Sequence, residues 1–328
     1  MFTVVSTIIA DPMEKMKAVV YDKKGHPERL ILREVDTPIP GDNEVLVKIA
    51  AASVNAGDYR SMNMGSIPKR RIFGADIAGT VESIGKGVRH LKPGDEVAGD
   101  LSACGFGGFA EYTTAPENAL LRIPSGVAFE AAAAIPMAGT AALQALRDEA
   151  GIQEGQSVLI AGSGGGVGTF AVQLAKHFGT EVTAVCGPRN VELMHSLGAD
   201  NVIDYTVEDF TRGSQRYDCI VAINGNRSLS GIMHSLKPRG ILVVAGGALS
   251  QIMKSLAFGW LLSLGSKKLR TLVSKPKRED LAFLFALLEN ASITPVIDRR
   301  YTLDNTADAV RYVRGGHARG KVILHVKG

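Results

Sequence analysis

Between residues 157 and 187 the apolar positions change period twice. Val158 to Ala161 form an unbroken apolar run, the pattern of a short strand buried on both faces. From Val167 the spacing becomes three and four, through Phe170, Ala171, Leu174 and Phe178, which predicts a helix with Gly179 placed to stop it. Val182, Ala184 and Val185 then give a second apolar run. The expected unit is strand, turn, helix, strand, with Gly162, Gly164, Gly165, Gly166 and Gly168 crowded into the turn.

The rest of the chain divides around that unit. Residues 16–122 read as strands and turns: MKAVVYDKKG, LILREVDTP and EVLVKIAAASVN are extended segments separated by Gly, Pro and Asp/Asn signals, and AGTVESIGKGV, DEVAGD and AEYTTAP supply more. An all-β module therefore precedes the strand-helix unit. Helical patterns begin near Phe129 and run through the Ala-rich stretch around Pro136. Strand-helix alternation continues through Tyr217–Ile223 and Ile241–Ala245. Near the end DLAFLFALLEN is an amphipathic helix and KVILHV a strand. The fold class is α/β, a doubly wound parallel sheet beside a β-rich domain.

Composition changes little in this picture. With 328 residues, 45% of them hydrophobic, the chain has room for two domains with real cores. Cys104, Cys186 and Cys219 show neither a C-x-x-C pair nor a disulfide framework, as suits a reducing compartment, and a cytoplasmic protein is expected. The net charge of +4 is modest and no aromatic residues interleave with basic ones, so nucleic acid is not a predicted partner. Residues 1–15 carry no basic n-region and no A-x-A site, and are read as a short extension rather than a signal peptide, with Met13 and Met16 as alternative starts.

Candidate chemistry begins at the turn. A helix N-terminus presents unpaired N–H groups and positive partial charge, and residues without a Cβ let a pyrophosphate approach it. The G-x-G-x-x-G spacing is not met, because that frame opens on Ser163, but a G-x-x-G-x-x-G frame fits at Gly162, Gly165 and Gly168. Gly162, Gly165, Gly166, Val167 and Gly168 are thus the candidate dinucleotide cradle. NAD sites usually place a carboxylate at the end of the following strand. Here that strand runs out through Cys186, Gly187, Pro188, Arg189 and Asn190, with no acid. Arg189 is suited to pairing with a 2′-phosphate and Tyr205 to offering a hydroxyl or a stacking face, so NADP(H) is the expected cofactor.

The motifs AASVNAGDYR, FGADIAGTVESIGKGVRHLKPGDEVAG, GGFAEYTTAPENALLRIP, GTAALQAL, LGADNVIDYT and GGHARGKVILHV, in that order with the glycine turn among them, give the chain a resemblance to a known family. It resembles the medium-chain dehydrogenase/reductase superfamily, and within it the zinc-free branch of quinone oxidoreductases and enone reductases. The resemblance covers nearly all of residues 16–328. It implies a GroES-like catalytic domain over 16–136 and 272–328, a Rossmann NADP(H)-binding domain over 137–271, and an active site in the cleft between them. It also implies a homodimer.

On the same resemblance, Asn55 stands where zinc-dependent members carry a cysteine ligand, and Gly74, Ala75 and Asp76 stand where they carry Gly-His-Glu. No metal is expected, since neither Asn55 nor Ala75 is a zinc ligand. Asn55 resembles the family's asparagine near the nicotinamide ribose and is a candidate donor to a developing enolate. Tyr59 is the candidate donor to a substrate carbonyl oxygen or proton source. Thr140, Asn224, Gly225, Gly246 and Gly247 are expected beside the cofactor, as is Cys186 at its strand end. The implied reaction is hydride transfer to a small apolar quinone or enone. Enoyl-thioester reduction and a non-catalytic NADPH-binding role stay open as alternatives.

Residues 249–268, LSQIMKSLAFGWLLSLGSKK, are the least typical part. They are too short and too interrupted to span a bilayer. A helix over the cleft or at a subunit interface is expected, and the basic residues following Trp260 also allow a membrane-surface contact through 249–278.

Overall fold

The protein is described by a computed structural model, which covers residues 14–22, 29–68, 70–224, 227–247 and 249–326. Residues 1–13 of the expected extension lie outside the described residues, as does Gly225.

β1 (Lys15–Tyr21) and β2 (Leu30–Asp36) pair antiparallel. β3 (Glu44–Val54) leads into helix α1 (Ala56–Asn63), and the chain continues through β4 (Asp76–Ile84), β5 (Glu96–Asp100), β6 (Tyr112–Pro116) and β7 (Leu120–Arg122). β3 is the hub, pairing antiparallel with both β4 and β6. Helices α2 (Phe129–Ala134) and α3 (Pro136–Leu143) meet at Pro136, which cannot donate to the end of one helix and is preset for the first turn of the next. Wide π-type turns carry α3 on through Ala150 to Gly151, whose φ of +60° ends it.

The glycine-rich unit appears as expected: β8 (Ser157–Ala161), α4 (Gly166–His177), β9 (Glu181–Cys186). Then follow α5 (Val191–Ser196), β10 (Asn201–Asp204), β11 (Tyr217–Ala222), α6 (Leu229–His234), β12 (Leu236–Val244), α7 (Leu249–Leu262) and β13 (Lys268–Thr271). β12 begins earlier than the strand expected from Ile241, since Leu236 already pairs with Tyr217 across a register shift. The six strands run in the order β10-β9-β8-β11-β12-β13, all parallel, which is the doubly wound arrangement. β8 is fully buried, as its uninterrupted apolar run requires.

After α8 (Arg278–Glu289), the chain returns through β14 (Ile297–Thr302), α9 (Thr306–Arg314) and β15 (Lys321–His325). β15 pairs antiparallel with β3 and so completes the first sheet. α8 bridges the halves. A Cβ on Gly139 of α3 would lie 3.1 Å from Leu284, while Arg278 donates to the Leu120 carbonyl of β7 at 2.6 Å. One core cluster surrounds β8, α3 and α4 and continues through Ala51, Ala78 and Ala98 into the first sheet, a second lies around β3, β4 and β5, and a third around β11, β12 and α6. Burying a side chain such as Phe170 contributes about 2–3 kcal/mol.

Candidate active site

Different glycines of the turn meet different demands. Gly162 has φ +85°, and a Cβ there would lie 2.7 Å from the Asn224 nitrogen. A Cβ on Gly168 would stand 2.4 Å from the Gly162 carbonyl and 2.5 Å from Ser163 Cα. These two glycines are needed by the chain itself. Gly165 is different, since nothing lies within 3.9 Å of its missing Cβ. It is the N-cap of α4 and supplies no side-chain cap, so the first N–H groups of a twelve-residue helix face an open space. That arrangement fits a dinucleotide pyrophosphate.

The space is a cleft of about 530 Å³ between the two halves. Of the residues expected there, Asn55, Tyr59, Gly162, Gly165, Gly166, Val167, Cys186, Arg189, Tyr205, Asn224 and Gly247 line it. Gly168 and Gly246 do not line it. Gly246 lies behind it, where a Cβ would meet the Ile223 carbonyl at 2.3 Å. Thr140 does not line it either: it is buried against a separate cavity of about 250 Å³ with Asp100, Cys104 and Pro276–Arg278. Its place within α3 turns it away from the cleft, whereas Ala138, two residues earlier, lines the cleft.

At one end of the cleft β9 runs into a tight turn at Pro188–Asn190. Arg189 makes no hydrogen bond or ion pair there among the described residues. Asp204 of β10 lies beside Cys186 in register, and its Oδ1 accepts from Thr206 N (2.9 Å) and Oγ1 (2.8 Å). Tyr205 is 57% exposed, with its hydroxyl over Gly187. Arg319, whose Nε donates to Asn190 Oδ1 at 3.0 Å, adds a second guanidinium that the sequence reading missed.

The floor is a buried polar cluster. Asn55 is the N-cap of α1, and its N–H donates to Asp58 Oδ2 at 2.7 Å. Its side-chain Nδ2 donates to Asp76 Oδ2 (2.9 Å) and to the Ser53 carbonyl (3.3 Å). Both amide hydrogens are therefore committed inward, and Asn55 does not offer the enolate donor that was expected of it. Lys321 Nζ donates to Asn55 Oδ1 at 2.6 Å and lies 3.5 Å from Asp76 Oδ2. Asp76 Oδ1 accepts from Met137 N at 3.0 Å. Burial pushes the Asp58 carboxyl up to about 7, and burial beside Asp76 pushes Asp100 up to about 6. It also raises Asp76 and lowers Lys321, each effect opposed by the partner's charge. Asp58 Oδ1 is buried without a partner.

Lys321 and Asp76 carry more of this cluster than the sequence reading gave them. The available signal was a lysine at the head of the apolar run VILHV. Among the described residues, no group of three or more His, Cys, Asp or Glu could hold a metal ion, and an ammonium beside Asn55 and Asp76 would repel one. Tyr59, on the first turn of α1, lines the cleft, and its hydroxyl has no hydrogen-bond partner among the described residues.

Residues 249–262 form α7, with Met253, Leu256 and Trp260 exposed in one row. Gly259 and Ser255 face inward, Gly259 against Leu269 and Ser255 Oγ at 2.9 Å from Thr271 Oγ1. No helix among the described residues is long and apolar enough to cross a membrane.

Comparison with known proteins agrees with this architecture. Residues 41–125 match the alcohol dehydrogenase GroES-like domain, and residues 197–324 match the zinc-binding dehydrogenase family. The chloroplast envelope quinone oxidoreductase homolog of Arabidopsis thaliana is 34% identical over 306 residues, 89% of this chain and 92% of that one. The 2-methylene-furan-3-one reductase of Solanum lycopersicum is 34% identical over 335 residues, 98% of this chain and 81% of its own. Among solved structures, the quinone oxidoreductase from Coxiella burnetii is similar with a TM-score of 0.87 at 29% identity, covering 96% of this chain and 100% of that one.

Proposed function

The chain belongs to the zinc-free, quinone oxidoreductase-like branch of the medium-chain dehydrogenase/reductase family, and from that premise we propose that this oxidoreductase uses NADPH to reduce a quinone or an α,β-unsaturated carbonyl. The observation that carries the reading is the hydroxyl of Tyr59, without a partner among the described residues, in a cleft that also holds the open face of the glycine turn. Gly165, Gly166 and Val167 would hold the pyrophosphate, and Arg189 with Tyr205 the adenosine end. When bound, the nicotinamide supplies a hydride to an electron-poor carbon conjugated with a carbonyl.

The chain's own part is placement and charge. As negative charge gathers on the acceptor oxygen, the Tyr59 O–H is the neutral donor free to meet it, and a donor preset in a shielded cleft stabilises such charge more than water does. Tyr59 also has a proton to give to the reduced product. Asn55, turned inward, holds the start of α1 on which Tyr59 is mounted. We further take the protein to act as a homodimer. β13 ends the parallel sheet with no further strand beside it among the described residues, and the apolar row of α7 lies next to that edge.

Nicotinamide oxidation followed at 340 nm, with NADPH and NADH against a small quinone and a small enone, tests this reading. Turnover that prefers NADPH, survives a chelator and falls about a hundredfold in Tyr59→Phe is expected. NADPH binding without turnover of either acceptor would return the choice to a thioester substrate or a non-catalytic role.

A further inference from the structure

Lys321 is a buried charge with an odd reach. Its side chain is 3% exposed. Its stem lies along the glycine turn, so that a Cβ on Gly166 would stand 2.9 Å from Lys321 Cδ, and the preceding residue, Gly320, bridges to Gly165. Its head meets Asn55 Oδ1, the N-cap of α1. A single side chain therefore touches the first turn of α4 and the first turn of the helix that carries Tyr59.

Filling that volume does not require a charge. An apolar chain of similar length would pack along Gly166 equally well, and a buried ion pair is a weak source of stability beside well-packed apolar groups. What the ammonium adds is direction. The Asn55 amide has its hydrogens on Asp76 and Ser53 and its oxygen on Lys321, and turning it over would set Nδ2 against the ammonium and Oδ1 against the Asp76 carboxylate. One orientation satisfies every partner.

We propose that Lys321 is a positioning residue: it ties the cofactor turn to Asn55, and through Asn55 to α1, and so sets where Tyr59 stands relative to the glycine turn. The catalytic consequence rests on the hydride-transfer reading, whereas the tie itself does not.

Two neutral variants separate direction from charge. Lys321→Met and Lys321→Gln both remove the ammonium, but Gln keeps an N–H donor able to reach toward Asn55. Lys321→Met should lower kcat about tenfold to a hundredfold with little change in the KM for NADPH, the pattern of a misplaced reacting group. Lys321→Gln should recover a large part of that loss. Equal losses in the two would show that only charge balance matters and would overturn the proposal. A readout without turnover is the Asn55 side-chain amide in a nitrogen–proton correlation spectrum of the wild-type protein. One slowly exchanging pair of signals is expected, and fast exchange or several conformers would overturn the tie. A wild-type protein that shows the slow pair yet reduces no acceptor supports the tie while sinking the hydride-transfer reading.

Discussion

The proposed preference for NADPH turns on one side chain, Arg189. It lines the cleft with no partner among the described residues, and Asp204 Oδ1 at the end of the next strand is taken by Thr206. A charge-assisted hydrogen bond to a phosphate is worth about 1.5–3 kcal/mol. Arg189→Ala should therefore lower kcat/KM for NADPH by roughly ten- to a hundredfold and leave NADH nearly unchanged, as initial rates with the two cofactors will show. Asp58 makes a different demand on its surroundings. Its folded pKa, pushed up by burial to about 7, lies above the ordinary carboxylate value, so the folded protein holds the proton more tightly than the unfolded chain. The associated stability is full below the unfolded value and is lost as pH rises towards 7. Asp58→Asn keeps an acceptor for the Asn55 N–H without burying a charge. Its advantage over wild type in urea unfolding should widen by a few kcal/mol between pH 5 and pH 8. A gap that stays constant would mean that Asp58 does not carry this cost.

The strand-turn-helix unit was legible as an element because every term that builds it is local. The apolar run of β8, the three-and-four spacing of α4 and the glycines between them lie within a few turns of one another. What lay hidden was which glycines the chain itself needs, since Gly162 is crowded by Asn224 from another strand end and Gly168 by the way the turn folds back on its own Gly162 and Ser163. The difference is measurable. Gly168→Ala drives a Cβ into backbone and should destabilise the protein by about 2–3 kcal/mol. Gly165→Ala reaches only the Gly162 carbonyl, at 3.9 Å, and as an N-cap change should cost no more than about 1 kcal/mol while weakening NADPH binding more than tenfold, a contrast that thermal unfolding and cofactor titration resolve. Thr140 shows the opposite failing. Its motif identified the element correctly, but which side of α3 faces the cleft is set by the packing of α8 against Gly139. The orientation of Asn55 escaped for the same reason, because its partners Asp76 and Lys321 belong to other strands.

At the scale of the whole molecule, the two halves meet along the cleft, and the far edge of the parallel sheet carries α7. Met253, Leu256 and Trp260, between 54% and 68% exposed, make an apolar row beside β13. If a second copy covers that row, Trp260→Lys should shift the mass measured by light scattering from dimer towards monomer. An unchanged dimer would place the interface elsewhere. The pairing of β3 with β15 bears on time rather than space. Lys321 and Asn55 are separated by 266 positions, and Val54 waits for Val322 as its neighbour in the sheet. Contacts that distant form late and slowly. As the chain emerges from the ribosome, the glycine turn is made well before the strand that closes the floor beneath it. A growing chain can thus shape its cradle early, yet the tie between cofactor turn and asparagine waits until Lys321, 266 positions after Asn55, has been added.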